Sequence, residues 1–202
     1  MLTGKKIVLG VSGGIAAYKM ANVASMLSKL HADIHVVMTE NATHFITPET
    51  FEVLTGNHCY TDTFDRCMEL HVPHIALGTQ ADAILIAPAS ADVVGKIANG
   101  IADDMLTTCV LPATCPVMLA PSMNVHMYEN PIVQDNMKKL VSYGYEIIEA
   151  DEGYLACRDI GKGKLPPEHV LVDYIIRACA MDKDLAGKKV LVTAGAPQVY
   201  ID

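Results

Sequence analysis

The segment PSMNVHMYENP (121–131) combines residue types that suit ligand binding better than a simple chain reversal. It follows the apolar run CPVMLA (115–120), which has the length and character of a buried strand. Loops that only turn the chain are usually small and polar, whereas this one contains Met123, Asn124 and Met127. The asparagine offers N–H donors without a full charge, and the methionines offer an adaptable apolar wall. We therefore interpret the loop as part of a binding site.

Two other positions suit a phosphate group. The first predicted strand runs into SGGIAAYK, in which Ser12, Gly13 and Gly14 predict a tight turn and Ile15 opens a helix. Backbone N–H groups at such a turn, together with the helix dipole, attract phosphate. The glycine spacing matches neither G-x-G-x-x-G nor a Walker A loop, so a plain turn stays an alternative. Thr39 ends the second predicted strand, where its hydroxyl serves either this phosphate site or the cap of the next helix.

The turn after the third predicted strand suits a flat ring. Residues 88–91 (PASA) are small enough to admit a ring close to the backbone, and they include Ser90 and Ala91. Asp92 accepts a hydrogen bond from a ring N–H in this interpretation, or else caps the following helix. A plain strand-to-helix turn is the alternative.

Two titratable residues are candidates for proton transfer. Histidine is the side chain best suited to moving a proton at neutral pH, so His74 is a candidate, although His71 and His126 compete with it on residue type alone. Cys157 lies in the glycine-rich segment EGYLACRDIGKGKLP (152–166), and loops of this composition often close over active sites. Each of the two residues also has a structural or incidental explanation.

Apolar runs of strand length alternate with helical patterns along the chain. The predicted strands are 6–11, 33–38, 81–88, 115–120 and 145–150, and the predicted helical segments are 16–30, 91–111 and 131–144. This alternation predicts an α/β fold, a doubly wound parallel sheet in three α/β/α layers. Ligands in such folds bind outside the carboxyl ends of the strands, which is where the loops described above are expected.

Composition excludes several classes of protein. The chain has 202 residues and a net charge of −8 without any basic run, which argues against general binding of nucleic acid or membrane surfaces. The amino terminus does not read as a signal peptide, and no apolar run approaches membrane-spanning length, so we expect a cytoplasmic protein. A loose cluster fits no common zinc spacing, and we expect no metal. Its members are Cys59, Cys67, His71 and His74.

Two segments of the chain have weakly similar sequences. LTGKKIVLGVSGG (2–14) resembles LAGKKVLVTAGAP (185–197), which follows a plausible linker. Two parallel strands of similar composition would explain this similarity. We favour a division into one domain over 1–180 and, over 181–202, a linker with the first strand of a truncated second domain.

Several segments, in this order, resemble the flavin-containing cysteine decarboxylases, and in particular phosphopantothenoylcysteine decarboxylases. They are SGGIAAYK, HIAL, APASAD, PSMNVHMYENP and LACRDIGKGK. The resemblance covers residues 4–180. It implies a Rossmann-like, flavodoxin-like fold, bound FMN near a subunit interface, and a homotrimer or a dodecamer built from trimers. It also implies that 185–202 begins the phosphopantothenate–cysteine ligase domain of a bifunctional enzyme of coenzyme A synthesis.

The resemblance assigns roles residue by residue. The residues implied to hold FMN are Ser12, Gly13, Gly14 and Ile15 with Thr39 at the phosphate, and Ser90, Ala91 and Asp92 along the flavin. Those implied to act on substrate are His74 in proton transfer, Asn124 at the carboxylate, Met123 and Met127 in the pocket wall, and Cys157 as the final proton donor.

The implied reaction is FMN-dependent decarboxylation of 4′-phosphopantothenoylcysteine to 4′-phosphopantetheine through thioaldehyde and ene-thiolate intermediates. This chain departs from many relatives at Asp92-Val93, where Asn-Thr is common, at Arg158 for glycine, and at Lys164 for arginine. One alternative is a lantibiotic-type peptidyl-cysteine oxidative decarboxylase, against which Cys157 argues because that reaction needs no final proton donor. Another is a non-catalytic flavin-binding regulatory module, although the acidic tail of such relatives is missing here.

Overall fold

A parallel six-stranded sheet forms the centre of the protein. The computed structural model describes residues 1–64, 73–154, 159–180 and 187–193. The sheet strands are β1 (Lys6–Val11), β2 (Asp33–Met38), β3 (Cys59–Tyr60), β4 (Ala83–Ala89), β5 (Val117–Pro121) and β6 (Glu146–Ile147). Their order is β3-β2-β1-β4-β5-β6, and all neighbouring pairs are parallel. The chain therefore starts in the middle of the sheet and winds outward in both directions, as predicted.

Helices cover both faces of this sheet. A short 3-10 helix (Ile15–Tyr18) precedes α1 (Lys19–Lys29). The other helices are α2 (Glu40–Thr43), α3 (Pro48–Thr55), α4 (Pro73–Gln80), α5 (Ala91–Ala98), α6 (Met105–Val110), α7 (Val125–Tyr128), α8 (Pro131–Ser142) and α9 (Glu168–Cys179). A separate antiparallel pair consists of β7 (Asp151–Tyr154) and β8 (Ile160–Lys164).

Alternate residues of the central strands enter two different cores. In β1, Ile7 and Leu9 belong to the core under α1, α3 and α9, whereas Val8 belongs to the core under α4, α5, α6 and α8. β4 alternates in the same way, with Leu85 on one side and Ile84 on the other. Because both faces are buried, β4 is apolar throughout and β1 is apolar after Lys6, and the predicted three-layer arrangement is confirmed.

Several parts of the secondary structure differ from the prediction, and helices α2, α3, α4, α7 and α9 were not predicted. The segment 91–111 forms two helices, since Gly100 adopts a φ of 68° and Asp104 then caps α6 by accepting a hydrogen bond from the Thr107 N–H. β3 was not predicted, because it has only two residues, both paired with β2, and so short a strand leaves no pattern in the sequence. Residues 152–166 were predicted as a loop, but most of them belong to β7 and β8.

The carboxyl-terminal segment adds no further strand within the part that is described. Residues 187–193 form no helix or strand, and Leu191 and Val192 are largely exposed. A second domain beginning near Leu185 therefore stays a prediction. No helix in the described ranges has the length and apolar character needed to cross a membrane.

Candidate functional site

One cavity of about 610 Å³ opens at the carboxyl edge of the sheet. Its walls come from the turns that follow β1, β4 and β5, and from β7, β8 and the residue after β8. The described residues lining it are Gly13, Gly14, Ile15, Ala16, Tyr18, Lys19, Ser90, Ala91, Ser122, Met123, Asn124, Met127, Tyr154, Gly163, Lys164 and Leu165. The structure thus brings the three loops singled out from the sequence to a single site.

Ser12 joins two walls of this cavity. Its fully buried hydroxyl donates to the Pro88 carbonyl (2.7 Å) and accepts from the Ser90 N–H (2.8 Å). Its backbone N–H also donates to the Pro88 carbonyl (3.3 Å). The single hydroxyl hydrogen is therefore engaged within the protein, and Ser12 positions the turn after β1 against the turn after β4.

The turn after β1 fits a phosphate group. Gly13 is required because a Cβ there would lie 2.5 Å from the Asn41 Cβ. This contact brings the segment that follows β2 against the turn, and Thr39 lies in that segment. The Thr39 hydroxyl oxygen is buried without a hydrogen-bond partner, and it does not cap α2. A buried unpaired hydroxyl beside a turn with free backbone N–H groups is what an anion-binding site requires.

The turn after β4 places two of its three candidate residues in the cavity. Ser90 caps α5 by accepting from the Val93 N–H (3.3 Å), and Ser90 and Ala91 both line the wall. Asp92 does not line it. Its side chain is 63% exposed and forms an ion pair with Lys96 (3.4 Å), because the second residue of α5 faces outward. The structure therefore supplies no contact between Asp92 and a ring bound in this cavity.

Asn124 has a fixed side-chain orientation. It caps α7, with its carbonyl oxygen accepting from the His126 N–H (2.8 Å). Its Nδ2 donates to the Asp159 carboxylate (2.9 Å). The two bonds make the opposite orientation of the amide unfavourable, so its N–H side faces Asp159. Met123 and Met127 line the cavity beside it, whereas His126 does not.

The β7–β8 pair lies flat against the Asn124 loop. The Met123 N–H donates to the Gly163 carbonyl (3.0 Å), and a Cβ at Gly163 would collide with the Met123 carbonyl oxygen. A Cβ at Gly161 would lie 2.6 Å from a methyl group of Val125. The glycines of this segment therefore allow close packing of β8 on the site. Cys157 lies outside the described residues, in the connection between the two strands.

His74 does not line the cavity among the described residues. It lies in the first turn of α4. Its Nδ1 atom is buried without a hydrogen-bond partner among the described residues. The structure therefore does not place this histidine in the cavity wall, and its role in proton transfer stays a prediction.

Other cysteines are poor candidates for proton transfer. Burial raises the pKa of the Cys59 and Cys109 thiols to about 12, and it also raises the pKa of Cys115. Cys67 and His71 of the loose cluster lie outside the described residues. Within the residues that are described, no group of three metal-ligating side chains occurs.

The sequence interpretation missed nine residues of the site. Eight line the cavity and one bonds Asn124; they are Ala16, Tyr18, Lys19, Ser122, Tyr154, Gly163, Lys164, Leu165 and Asp159. All nine belong to segments that the sequence had singled out. Their residue types alone did not mark them, and only the fold assembles them.

A doubly wound parallel sheet with an anion-binding turn and a cavity at its carboxyl edge defines a nucleotide-cofactor-binding protein of the flavodoxin-like type. Comparison with known sequences is more specific. The profile of the family described as Flavoprotein matches residues 1–180, and the chain belongs to this family.

The curated relatives include proteins of coenzyme A synthesis. The coenzyme A biosynthesis bifunctional protein CoaBC of Bacillus subtilis (strain 168) is 46% identical over 204 residues, covering 100% of this chain and 50% of that protein. The protein of the same name from Haemophilus influenzae is 40% identical over 201 residues, with the same coverage. The chain thus spans about half the length of the curated relatives it matches.

Solved structures agree in fold. The FMN-dependent cysteine decarboxylase SpaF has a TM-score of 0.78 and 34% identity, covering 90% of this chain and 100% of that one. A mutant PPC decarboxylase complexed with pantothenoylaminoethenethiol has a TM-score of 0.76 and 29% identity, covering 85% and 96% respectively.

Proposed function

We propose that this chain binds FMN and catalyses the decarboxylation of 4′-phosphopantothenoylcysteine to 4′-phosphopantetheine, a step of coenzyme A synthesis. The observation that carries the proposal is the fixed Asn124 amide in the wall of a cavity that also contains an anion-binding turn. The similarity to CoaBC proteins over their matched half supports this choice of substrate.

The FMN phosphate is held by the backbone N–H groups of Gly13, Gly14 and Ile15 and by the unpaired Thr39 hydroxyl. Ser90 and Ala91 border the flavin ring. When bound, FMN supplies the two-electron acceptor and donor that a cysteine amide lacks as a substrate for decarboxylation. Ser12 acts indirectly, by holding the two turns together.

Asn124 binds the substrate carboxylate through its amide nitrogen, which also donates to Asp159 (2.9 Å). An amide donor holds this anion without the strong charge attraction that would oppose its loss as carbon dioxide. Asp159 orients the amide, and Met123 and Met127 exclude water beside it. Removing water strengthens each remaining polar contact in the site.

Two residues move protons in this proposal. His74 serves the oxidation and decarboxylation stage, and Cys157 protonates the ene-thiolate on reduction. Cys59 and Cys109 are poor proton donors for this step, because burial raises the pKa of each thiol to about 12.

Decarboxylation of a peptidyl cysteine, without the final reduction, is the second candidate, because SpaF is 34% identical over its whole chain. A flavin-binding regulatory module is the third. The absorption spectrum of the purified protein, with the chromophore released and identified, tests the cofactor.

Carbon dioxide release then separates the three functions. We expect FMN and turnover of the phosphorylated cysteine conjugate to a saturated thiol. An unsaturated thiol from a cysteine-ended peptide alone would favour the second candidate, and flavin without any turnover would favour the third.

We also propose that the active enzyme is a homotrimer, alone or assembled into a dodecamer, with each site shared between two subunits. His74 lies outside the cavity wall of its own subunit. Three large side chains at the cavity are more than half exposed, Ile15 at 58%, Tyr18 at 55% and Tyr154 at 63%, which suits a covered interface. In the same proposal the protein is cytoplasmic, and residues 181–202 lead into a ligase domain.

Mixed oligomers test the shared site. We expect His74→Asn and Asn124→Asp to be inactive alone, and mixed trimers to recover about a third of the normal activity, because one of the three sites in every mixed trimer pairs two intact residues. The measurement is decarboxylation by oligomers purified through two different affinity tags. The control is a mixture of His74→Asn with His74→Ala, which should stay inactive. If the mixture of His74→Asn with Asn124→Asp is as inactive as the control, the two residues act within one subunit.

A further inference from the structure

We propose that Lys164 binds the phosphate group of the substrate and so selects a phosphorylated small molecule over an uncharged or peptide analogue. This inference rests on the proposed function and concerns the same cavity. It adds a residue that determines which cysteine conjugate is accepted.

The cavity has a charge opposite to that of the chain. The whole protein carries a net charge of −8, yet the described residues that line the cavity include two lysines and no acidic residue. These lysines are Lys19 and Lys164. A cavity lined by one sign of charge concentrates ligands of the opposite sign, which here means anions. FMN and the proposed substrate each carry a phosphate.

Lys164 differs from the neighbouring lysine of β8. Lys162 forms an ion pair with Glu149 (3.2 Å), and this hydrogen bond raises the pKa of Lys162 above its ordinary value. Lys164 has no ion pair or hydrogen bond within the described structure, although Asp151 lies opposite it in the β-ladder. Lys164 is one of the residues that line the cavity, and its ammonium group has no partner within the described structure, so it is available to a ligand.

The positions of the two lysines assign them to different ligands. Lys19 begins α1 immediately after the anion-binding turn, so it belongs to the FMN phosphate. Lys164 follows Gly163, whose carbonyl accepts from the Met123 N–H (3.0 Å), so it belongs to the wall that contains Asn124. The Asn124 amide takes the carboxylate end of the substrate, which leaves the phosphate end for the lysine.

The path of the Lys164 side chain is also open. It crosses the partner strand at Gly153, where a Cβ would lie 3.8 Å from the Lys164 Nζ. The Gly153 φ of 158° disfavours a larger residue at this position. The lysine therefore extends along the β7–β8 pair, and a phosphate bound there would connect the pair to the substrate.

The test compares Lys164→Gln with Lys162→Gln, two neutralising changes in one strand. Each variant is assayed with the phosphorylated cysteine conjugate and with its dephosphorylated form. Loss of one charged hydrogen bond should lower kcat/KM of Lys164→Gln for the phosphorylated substrate about tenfold. The dephosphorylated substrate should be turned over unchanged, Lys162→Gln should resemble the wild type, and FMN content should stay constant. The wild-type KM for the phosphorylated substrate should rise with salt more than that of Lys164→Gln.

Two results would overturn the inference. An equal loss of kcat/KM on both substrates would assign Lys164 to carboxylate binding or to the structure of the strand pair. An unchanged kcat/KM on both substrates would show that Lys164 does not recognise the phosphate. In both cases wild-type turnover leaves the proposed function intact. If the wild type converts neither substrate, the proposed function fails and this inference fails with it.

Discussion

Asn124→Asp is expected to lower kcat/KM for decarboxylation at least about a hundredfold while the protein stays folded and keeps FMN. An aspartate retains the oxygen that accepts from the His126 N–H, so the cap of α7 survives. It replaces the donor that faces Asp159 at 2.9 Å with a second carboxylate oxygen. The new charge repels both Asp159 and the substrate carboxylate. Steady-state release of carbon dioxide, together with the flavin spectrum, measures the effect.

Asn130→Asp is a closely matched control. Asn130 caps the neighbouring helix α8 in the same way, since its side-chain oxygen accepts from the Ile132 N–H (2.9 Å). It is exposed and does not line the cavity. The control adds the same charge at the same kind of helix end, so it should leave turnover within about twofold of normal. If Asn124→Asp turns over substrate at the wild-type rate, Asn124 does not bind the substrate carboxylate.

Cys157→Ser is expected to release carbon dioxide but to lower the yield of the saturated thiol, 4′-phosphopantetheine, at least about a hundredfold. A serine hydroxyl is a far weaker acid than a thiol and cannot protonate the ene-thiolate efficiently. The unsaturated thiol should therefore accumulate in an amount equal to the carbon dioxide released. Mass spectrometry of the product under anaerobic single-turnover conditions distinguishes the two thiols by two hydrogen atoms.

Cys115→Ser is the control for the loss of a thiol. Cys115 is half-buried, and burial raises the pKa of its thiol, so it is a poor proton donor. We expect this variant to form the saturated product at the normal rate. Normal production of 4′-phosphopantetheine by Cys157→Ser would instead exclude Cys157 from the final step.

The sheet was predictable because its strands are buried on both faces. β1 and β2 have the bounds of the apolar runs 6–11 and 33–38. β3 was not predicted because two residues carry no periodic signal, and β6 is shorter than its run because only two of its residues pair with β5. β7 and β8 were not predicted because the glycines of β8 are required by close contacts with Met123 and Val125, and these two residues are distant in sequence.

The candidate site was predictable where a single loop carries the chemistry. Asn124 and the turn at Gly13 could be identified from local residue types. The bond between Asn124 and Asp159 joins residues 35 positions apart, and no local pattern encodes it. The positions of Asp92 and His74 relative to the cavity likewise depend on which way a helix faces, which residue type alone does not determine.

The buried hydroxyl of Ser12 has a consequence for how the two ligands bind. Because it fixes the turn after β1 to the turn after β4, the wall that receives FMN is preorganised when the chain folds. The entropy cost of ordering that wall is met during folding, so cofactor binding itself need not order it. Among the described residues, the opposite wall is joined to the Asn124 loop by the backbone bond from Met123 to Gly163 and by the side-chain bond from Asn124 to Asp159. The cofactor wall is thus fixed by a fully buried side chain, and the substrate wall by a half-buried side chain that lines the cavity itself. This difference suits a group retained through every turnover and a molecule exchanged in each one.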